Sequence, residues 1–239
     1  MKKVTISCIL IFLFLRPFLL LAQNENSSWL SASGGLNSIW IVNQDMYGNQ
    51  KLDYATKLGL QASMAYSRCF EKTGYSVGLG FMNLGQNYSG VMSEGDASRK
   101  VNLYYIQVPV MGMYGFSAFR DKKWILFGPQ FMFLLHASQY FSRSGGNPLP
   151  FPENMPIGTT DISKRFKPVD VMLAVEIPKV FSFGSGKKLS YFFSVKTAYG
   201  LTDINSKDYQ IPNSSSVYKA SHNFYFGVNL GAMFNRQEH

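Results

Sequence analysis

The sequence predicts an all-β protein, an eight-stranded antiparallel up-and-down barrel that spans a membrane. Apolar residues make up 46% of the 239 residues and charged residues only 15%, yet the mean hydropathy is -0.05. Apolar residues must therefore alternate with polar ones, which is the pattern of strands and not of disordered segments or bundles of apolar helices. Long polar segments also alternate with short turns, as they do in outer-membrane barrels.

The N-terminus is predicted to be a secretory signal peptide at 1–22, which leaves a barrel domain at 23–239. Lys2 and Lys3 precede a mostly apolar run that ends in a small residue, Ala22, as in cleavable signals. Arg16 and Pro17 interrupt this run, so a transmembrane anchor is disfavoured.

Period-two alternation predicts each strand in turn, because successive side chains of a strand point to opposite faces. It is clearest at the C-terminus, where Phe224, Phe226 and Val228 alternate with Tyr225 and Gly227. The predicted strands lie at 29–42, 55–70, 75–88, 101–115, 124–141, 166–182, 189–200 and 221–234. The first is the weakest; in the others the apolar face is marked by Leu58, Leu60, Val77, Leu79, Ile106, Val108, Phe131, Phe133, Val171, Leu173, Phe193, Val195, Val228 and Leu230.

Connections of two lengths join these strands. Short ones are predicted at 71–74, 116–123 and 183–188, and long polar ones at 43–54, 89–100, 142–165 and 201–220. We therefore expect the long loops to be extracellular and both termini periplasmic, with the protein in the cell outer membrane.

Two features refine this prediction. Aromatic residues near the strand ends are typical of interfacial girdles, and they include Trp29, Trp40, Tyr54, Tyr88, Tyr104, Trp124, Tyr140, Phe141, Phe166 and Tyr199. Prolines at 109, 129, 168 and 178 fall within predicted strands, where they cannot donate to the ladder. We expect bulges at these prolines, which would reverse the facing of the residues beyond them.

A membrane barrel is favoured over a soluble one because the apolar face carries many large aromatic residues that a narrow interior could not hold. The opposite face is then the lumen and must form a polar network, since buried charge is costly unless it is paired. We expect Lys57 and Lys196 to face Asp170 and Glu176 there. The predicted network comprises Lys57, Gln61, Gln107, Gln130, His136, Asp170, Glu176 and Lys196. A lumen filled in this way should not conduct ions.

Three segments resemble the PorT-like family of outer-membrane β-barrel proteins from Bacteroidota. Asn102, Tyr105, Val108 and Pro109 match an "N-x-x-Y-x-x-I/V-P" strand, and 127–131 is similar to a Gly-Pro strand. The segment 199–204 resembles a "Y-G-L-x-D/N-I" motif. The resemblance implies an eight-stranded outer-membrane barrel and accommodates the prolines at 109 and 129. One member of the family is linked to protein secretion, a role that barrel motifs do not transfer by themselves.

One pair of residues has the spacing of a catalytic site. His136 and Ser138 share a strand face, and eight-stranded lipid A deacylases use a His-x-Ser pair with an acidic partner. No acidic residue follows closely before Glu153, and alternation places the pair in the lumen. We therefore predict a protein that is not an enzyme, with a lipid A-modifying enzyme as the alternative.

The predicted partners are outer-membrane lipid and lipopolysaccharide, the barrel-assembly machinery, and other envelope or secretion proteins. No cofactor is predicted, because three histidines and one cysteine in the exported chain do not make a metal-ligand cluster. Basic residues at the turns and loops are interpreted as solvated, or alternatively as contacts to phosphates of lipopolysaccharide or to a partner. Nucleic-acid binding has no supporting motif.

Overall fold

Eight long strands form a closed antiparallel barrel in the computed structural model of the chain. The structure describes residues 26–43, 53–92, 95–118, 121–144, 149–150, 154–155, 157–181, 189–210 and 217–236, so the predicted signal peptide lies outside the described residues. The strands are β1 (Asn26–Val42), β2 (Lys57–Phe70), β3 (Thr73–Met92), β4 (Gly95–Ala118), β5 (Asp121–Arg143), β6 (Val169–Phe181), β7 (Leu189–Gly200) and β8 (His222–Arg236). Each pairs with the next in sequence, and β8 pairs with β1 to close the ring. The predicted fold class is confirmed.

Short elements extend the barrel at the loop end. A strand at Asp53–Ala55 pairs with β3, and one at Gly158–Asp161 pairs with β5. Leu149–Pro150 pairs with Asn154–Met155, and 3-10 turns lie at Ser163–Arg165 and Lys207–Tyr209. Within the described ranges, no helix has the length and apolar character that a membrane span requires.

The barrel wall alternates between an apolar outside and a more polar inside. On β8, Leu230 is 70% exposed on the outer surface, whereas its neighbour Asn229 is 4% exposed. The same contrast separates Leu60 from Gln61 on β2. An apolar outer face is favourable against lipid tails and costly against water, so this alternation fits a membrane environment.

Strands β3, β4 and β5 are longer than predicted. The expected loop at 89–100 is largely strand, because β3 continues to Met92 and β4 begins at Gly95. These strands have 20, 24 and 23 residues, whereas a tilted membrane-spanning strand needs about 9–11. The three strands therefore project beyond the membrane at the loop end.

The register of the β4–β5 pair shifts at a single point, and this point is not a proline. Tyr104 pairs with His136 but Tyr105 pairs with Leu134, so Leu135 is an extra residue on β5. Pro109 pairs with Gln130 in unshifted register, contrary to the expected bulge. Because one extra residue reverses the facing of everything beyond it, the shift decides where His136 and Ser138 point.

Part of the predicted aromatic girdle lies inside the protein. Tyr88, Phe141 and Phe166 are buried, and Trp29 and Trp124 pack against the internal apolar cluster, because these residues have the inward parity of their strands or loops. On the outer surface at the loop end, Phe81, Tyr104 and His136 stack in a row, and Trp40 contacts Phe224. These outer rings mark the border of the apolar wall, as interfacial aromatics do.

Candidate functional site

Polar side chains cross the middle of the lumen in a continuous chain. The amide of Gln61 on β2 donates to Asn229 on β8, which donates to Ser194 on β7 over 3.2 Å. The Ser194 hydroxyl donates to Glu176 on β6 over 2.6 Å. Four strands are thus linked across the interior by residues that alternation turns inward.

A second group of polar residues adjoins this chain. Lys196 is 5% exposed, lies opposite Glu176 on the neighbouring strand and hydrogen-bonds Tyr225. The Tyr225 hydroxyl donates to Gln130 over 3.0 Å. Gln107 on β4 is also fully buried, but its side-chain amide makes no hydrogen bond to another described residue, so it does not join the predicted network. The register of β6 and β7 thus brings Lys196 opposite Glu176, and the ion pair expected between them stays a prediction.

The expected acidic partner of Lys57 is replaced by neutral oxygens. The Lys57 ammonium donates to the carbonyl of Val101 over 2.5 Å and to the side-chain oxygen of Asn102. It crosses β3 at Gly85, where φ is +129° and a β-carbon would lie 3.1 Å from Nζ and 2.1 Å from the Val101 oxygen. Only glycine leaves room for this crossing, which sequence spacing did not reveal.

Asp170 is 1% exposed and is also held by neutral groups, not by a lysine. It accepts a hydrogen bond from the Thr202 hydroxyl over 2.6 Å and one from Asn223 over 2.8 Å. The same Asn223 amide approaches the hydroxyl of buried Tyr105 at 3.4 Å. Asp170 therefore joins the barrel wall to the loop after β7.

One lumen contact was missed from the sequence. Asn37 on β1 is fully buried and faces Gly227 on β8, where a β-carbon would lie 1.9 Å from the Asn37 side-chain oxygen. The available signal was that each of the two paired strands carries a glycine opposite an amide side chain of the other strand. This signal can be recognised only when the register of the pair is known.

Apolar layers enclose the polar middle of the lumen. Toward the turn end, the buried residues include Met111, Met113, Leu126 and Phe192. Toward the loop end, they include Ile39, Ile41, Met82, Leu84, Leu103, Met132 and Met172. The interior is therefore a packed core with a polar centre.

Two loops are joined to each other over the barrel mouth. We call their described parts the cap: residues 157–168, before β6, and 201–210 with 217–221, between β7 and β8. Phe166 bridges to Asn205, the Lys167 amide donates to the Ile204 carbonyl over 2.8 Å, and the Ser206 amide donates to the Arg165 carbonyl over 2.9 Å. Ile162, Phe166 and Ile204 are at most 5% exposed and extend the internal apolar cluster into the cap.

Asp203 is the centre of the cap. Its carboxylate accepts hydrogen bonds from the Tyr218 hydroxyl at 2.9 Å, from Gln210 at 2.7 Å and from the backbone amide of Ser221 at 3.1 Å. Its Oδ2 atom lies 3.8 Å from the Lys167 ammonium, and the side chain is 13% exposed. Asp203 belongs to the segment 199–204, which resembles the "Y-G-L-x-D/N-I" motif. In this structure the acidic residue of that segment holds the cap together.

His136 and Ser138 face outward and not into the lumen, because the extra residue Leu135 reverses the parity of β5. His136 is exposed and stacks on Tyr104, with ring centroids 6.2 Å apart. The predicted lumen position of His136 is therefore wrong. Ser138 pairs across strands with Asp161, an acidic residue that lies beyond Glu153 in the sequence.

The geometry around His136 lacks a catalytic relay. Its Nδ1 lies 4.0 Å from Asp161 and 3.4 Å from the Ser163 hydroxyl, whereas a Ser-His-Asp relay places acid and nucleophile on different ring nitrogens. Hydrogen bonds from Ser163 lower the pKa of the Asp161 carboxyl, so Ser163 engages this acid directly. No hydrogen bond joins His136 to Ser138 in the described part of β5.

The described residues hold no group of three or more His, Cys, Asp or Glu side chains that could bind a metal ion. The site they do form is a polar lumen closed by a cap. Its chemistry is hydrogen bonding within the protein: Lys196 and Glu176 lie opposite each other, whereas Lys57 and Asp170 are held by neutral groups.

A closed barrel with an apolar outer wall and an aromatic border defines a transmembrane β-barrel protein. A family model described as an outer membrane protein beta-barrel domain matches residues 21–206. The chain belongs to this family and is an outer-membrane β-barrel protein. The match ends before β8, the strand that closes the ring in the structure.

Solved structures of small outer-membrane proteins are similar to this chain. Neisserial surface protein A has 9% identity and a TM-score of 0.44, covering 88% of this chain and 99% of its own. AlkL, solved in lipid bilayers, has 12% identity and a TM-score of 0.44, with 91% and 93% covered. Ail of Yersinia pestis, solved in complex with a heparin analogue, has 11% identity and a TM-score of 0.35, with 88% and 100% covered. No match was found among curated proteins.

Proposed function

We propose that this protein is a non-enzymatic structural or accessory barrel whose cap is an ordered platform for contact with another envelope protein. The observation that carries the proposal is the joining of two loops over the mouth, around Asp203. Long loops without such joining lose their order readily, so a hydrogen-bonded hub favours a surface that is kept in one shape.

The proposed orientation has the cap outside the cell and the termini in the periplasm. The two-residue turn at Glu71 and Lys72 and the long connection at 201–221 lie at opposite ends, as in bacterial outer-membrane barrels. Single cysteines at Lys207 and Glu71, introduced into a Cys69→Ser background, test this arrangement on intact cells. An impermeant maleimide should label only the cysteine at 207. Labelling of the cysteine at 71 alone would show that the orientation is the opposite of the proposed one.

More specifically, the envelope protein that contacts the cap is proposed to be a component of a protein-secretion system. This assignment is supported by the resemblance of the 102–109 and 199–204 segments to the PorT-like family of Bacteroidota. A photo-crosslinking residue at Lys207 or Lys219, both exposed on the cap, should capture an envelope protein, whereas one at lipid-facing Leu230 should not. Adducts at Leu230 alone would place the partner on the wall and contradict a cap platform.

The non-enzymatic part of the proposal is supported by the contacts of His136. A lipid A-modifying enzyme would need Ser138 at one ring nitrogen and an acid at the other, but Asp161 and Ser163 share Nδ1. The packed interior likewise supports a barrel that does not conduct. Planar-bilayer recordings of the purified protein should show no stepwise current.

A further inference from the structure

Two lysines lie close together on the projecting part of the wall. The positive charge of Lys100 acts on the ammonium of Lys57, and the two hydrogen bonds of Lys57 go to neutral oxygens of Val101 and Asn102. A largely buried ammonium beside a second cation is unfavourable unless negative charge is supplied. Neither of the ion pairs recorded in the described part of the chain involves Lys57 or Lys100.

The outer face beside these lysines presents hydrogen-bond donors. Lys100 is exposed and Asn102 is two residues further along β4, so both point outward about 6–7 Å apart. The Asn102 oxygen accepts from Lys57, which leaves its Nδ2 group to donate. Tyr140, which pairs with Lys100 across β4–β5 and is 42% exposed, adds a hydroxyl.

The nearest acidic residue on this face is already engaged. Asp161 lies two strands from Asn102, through Ser138, or about 10 Å away. Its carboxylate accepts from the Ser163 amide at 2.8 Å and is close to His136 and Lys164. Asp161 is therefore already engaged and not free to pair with Lys57 or Lys100, and Asp53, which lies across β3 from Lys100, is no closer to it than Asp161 is.

The position of this face selects the ligand. Tyr104 stacks between Phe81 and His136 at the aromatic border. On the outer face of β4 it lies between Ile106, which belongs to the apolar wall, and Asn102. Asn102 and Lys100 thus continue the lipid-facing wall immediately beyond the membrane border, at the level of headgroups. A lysine point charge with amide and hydroxyl donors is suited to a phosphate group.

We propose that Lys100, Asn102 and Lys57 bind a phosphate of the phosphorylated sugar headgroup of lipopolysaccharide in the outer leaflet. The proposal rests on the proposed orientation, in which this end of the barrel is extracellular. The buried Lys57 ammonium lies behind the site and holds the Asn102 side chain by a hydrogen bond, and Lys100 and Asn102 provide the direct contacts.

Binding of deep-rough lipopolysaccharide to the purified full-length protein in detergent tests the site without depending on orientation. Lys100→Gln should weaken binding about tenfold, the value of one charge-assisted hydrogen bond, and Lys100→Arg should restore most of it. Lys179→Gln, at an exposed lysine near the turn end, is the matched control and should bind like the unchanged protein. Enzymatically dephosphorylated lipopolysaccharide should bind the unchanged protein and the Lys100→Gln variant equally weakly.

An equal loss in the Lys179 variant, or undiminished binding of dephosphorylated lipid, would overturn the site. Inorganic phosphate should displace lipopolysaccharide only at concentrations far above that of the lipopolysaccharide. Displacement by an equal concentration of inorganic phosphate would identify a free-phosphate site and overturn the lipid assignment. Failure of the cysteine-labelling experiment would reject the orientation while leaving the Lys100 result intact, so the two proposals fail separately.

Discussion

Replacing Asp203 by alanine should release the cap while leaving the barrel closed. The carboxylate accepts hydrogen bonds from Tyr218, Gln210 and the backbone of Ser221, and lies 3.8 Å from the Lys167 ammonium. Its removal leaves these neutral donors without their acceptor, and because a hydrogen bond to a charged group contributes about 1.5–3 kcal/mol, we expect a total cost of about 3–5 kcal/mol. The loss falls on the loops, because the contacts of Asp203 are to cap residues and not to the strand ladders.

Amide hydrogen exchange of the folded protein in detergent measures this loss locally. At 1.4 kcal/mol per factor of ten, exchange in 201–210 and 217–221 should accelerate by roughly two to three and a half powers of ten, up to the limit set by the unprotected rate. Amides within β2 and β3 should keep their protection, and the folded band on unheated gels should remain. Asp208→Ala is the control, since Asp208 is exposed in the same loop and should leave exchange unchanged.

Unchanged exchange in the Asp203 variant would refute the argument that the cap depends on this hub. Loss of the folded gel band would refute it differently, by showing that Asp203 stabilises the barrel instead of the cap. Equal acceleration in the Asp208 variant would mean that charge alone, and not the buried hydrogen bonds, controls loop order.

Three further predictions address the active-site alternative, the lumen and the wall. Ser138→Ala should leave lipid A unchanged by mass spectrometry, because His136 holds no relay to Ser138; a shift in the mass distribution of lipid A would revive the enzyme. Gly227→Ala should lower the gel-shift melting midpoint by overpacking the lumen, at a cost of about 1–3 kcal/mol, whereas Gly34→Ala, with 3.7 Å to its nearest neighbour, should not. Leu230→Arg should cost about 2–4 kcal/mol of unfolding free energy in lipid vesicles if this side chain lies near the mid-plane, and a cost near zero would contradict its lipid contact.

The number of strands and the side on which most residues lie were predictable from the sequence. The cause is physical: lipid outside and a narrow interior impose period two, so Leu230 and Asn229 could be assigned to opposite faces. The loop expected at 89–100 was wrong because beyond the membrane the outward positions, such as Ser98 and Lys100, are polar. Alternation with an apolar outer face disappears there although the strand continues.

The facing of His136 could not be obtained from alternation. A single extra residue, Leu135, has no distinctive composition, and the prolines drew attention to the wrong positions. Side-chain partners were equally inaccessible, since the Lys57 contact depends on a crossing at Gly85 that exists only in three dimensions. The period-two alternation determines whether a residue faces the lipid or the lumen, whereas the side-chain contacts across the lumen depend on the register between strands.

The segment from Tyr199 to Ile204 shows how the lumen and the cap are coupled. Tyr199 lies on the outer wall, the Thr202 hydroxyl holds Asp170 in the lumen, and Asp203 holds the cap, all within five residues. Loss of the Asp170 contact would free Thr202 and loosen the chain next to Asp203, so disturbance inside the barrel is transmitted to the outer surface. Asp170→Asn should therefore raise amide exchange in the cap through the Thr202 contact, although Asp170 itself is buried inside the barrel. A cap built in this way keeps its shape only while the lumen is packed, which is a physical reason for a small barrel to fill its interior instead of leaving a channel.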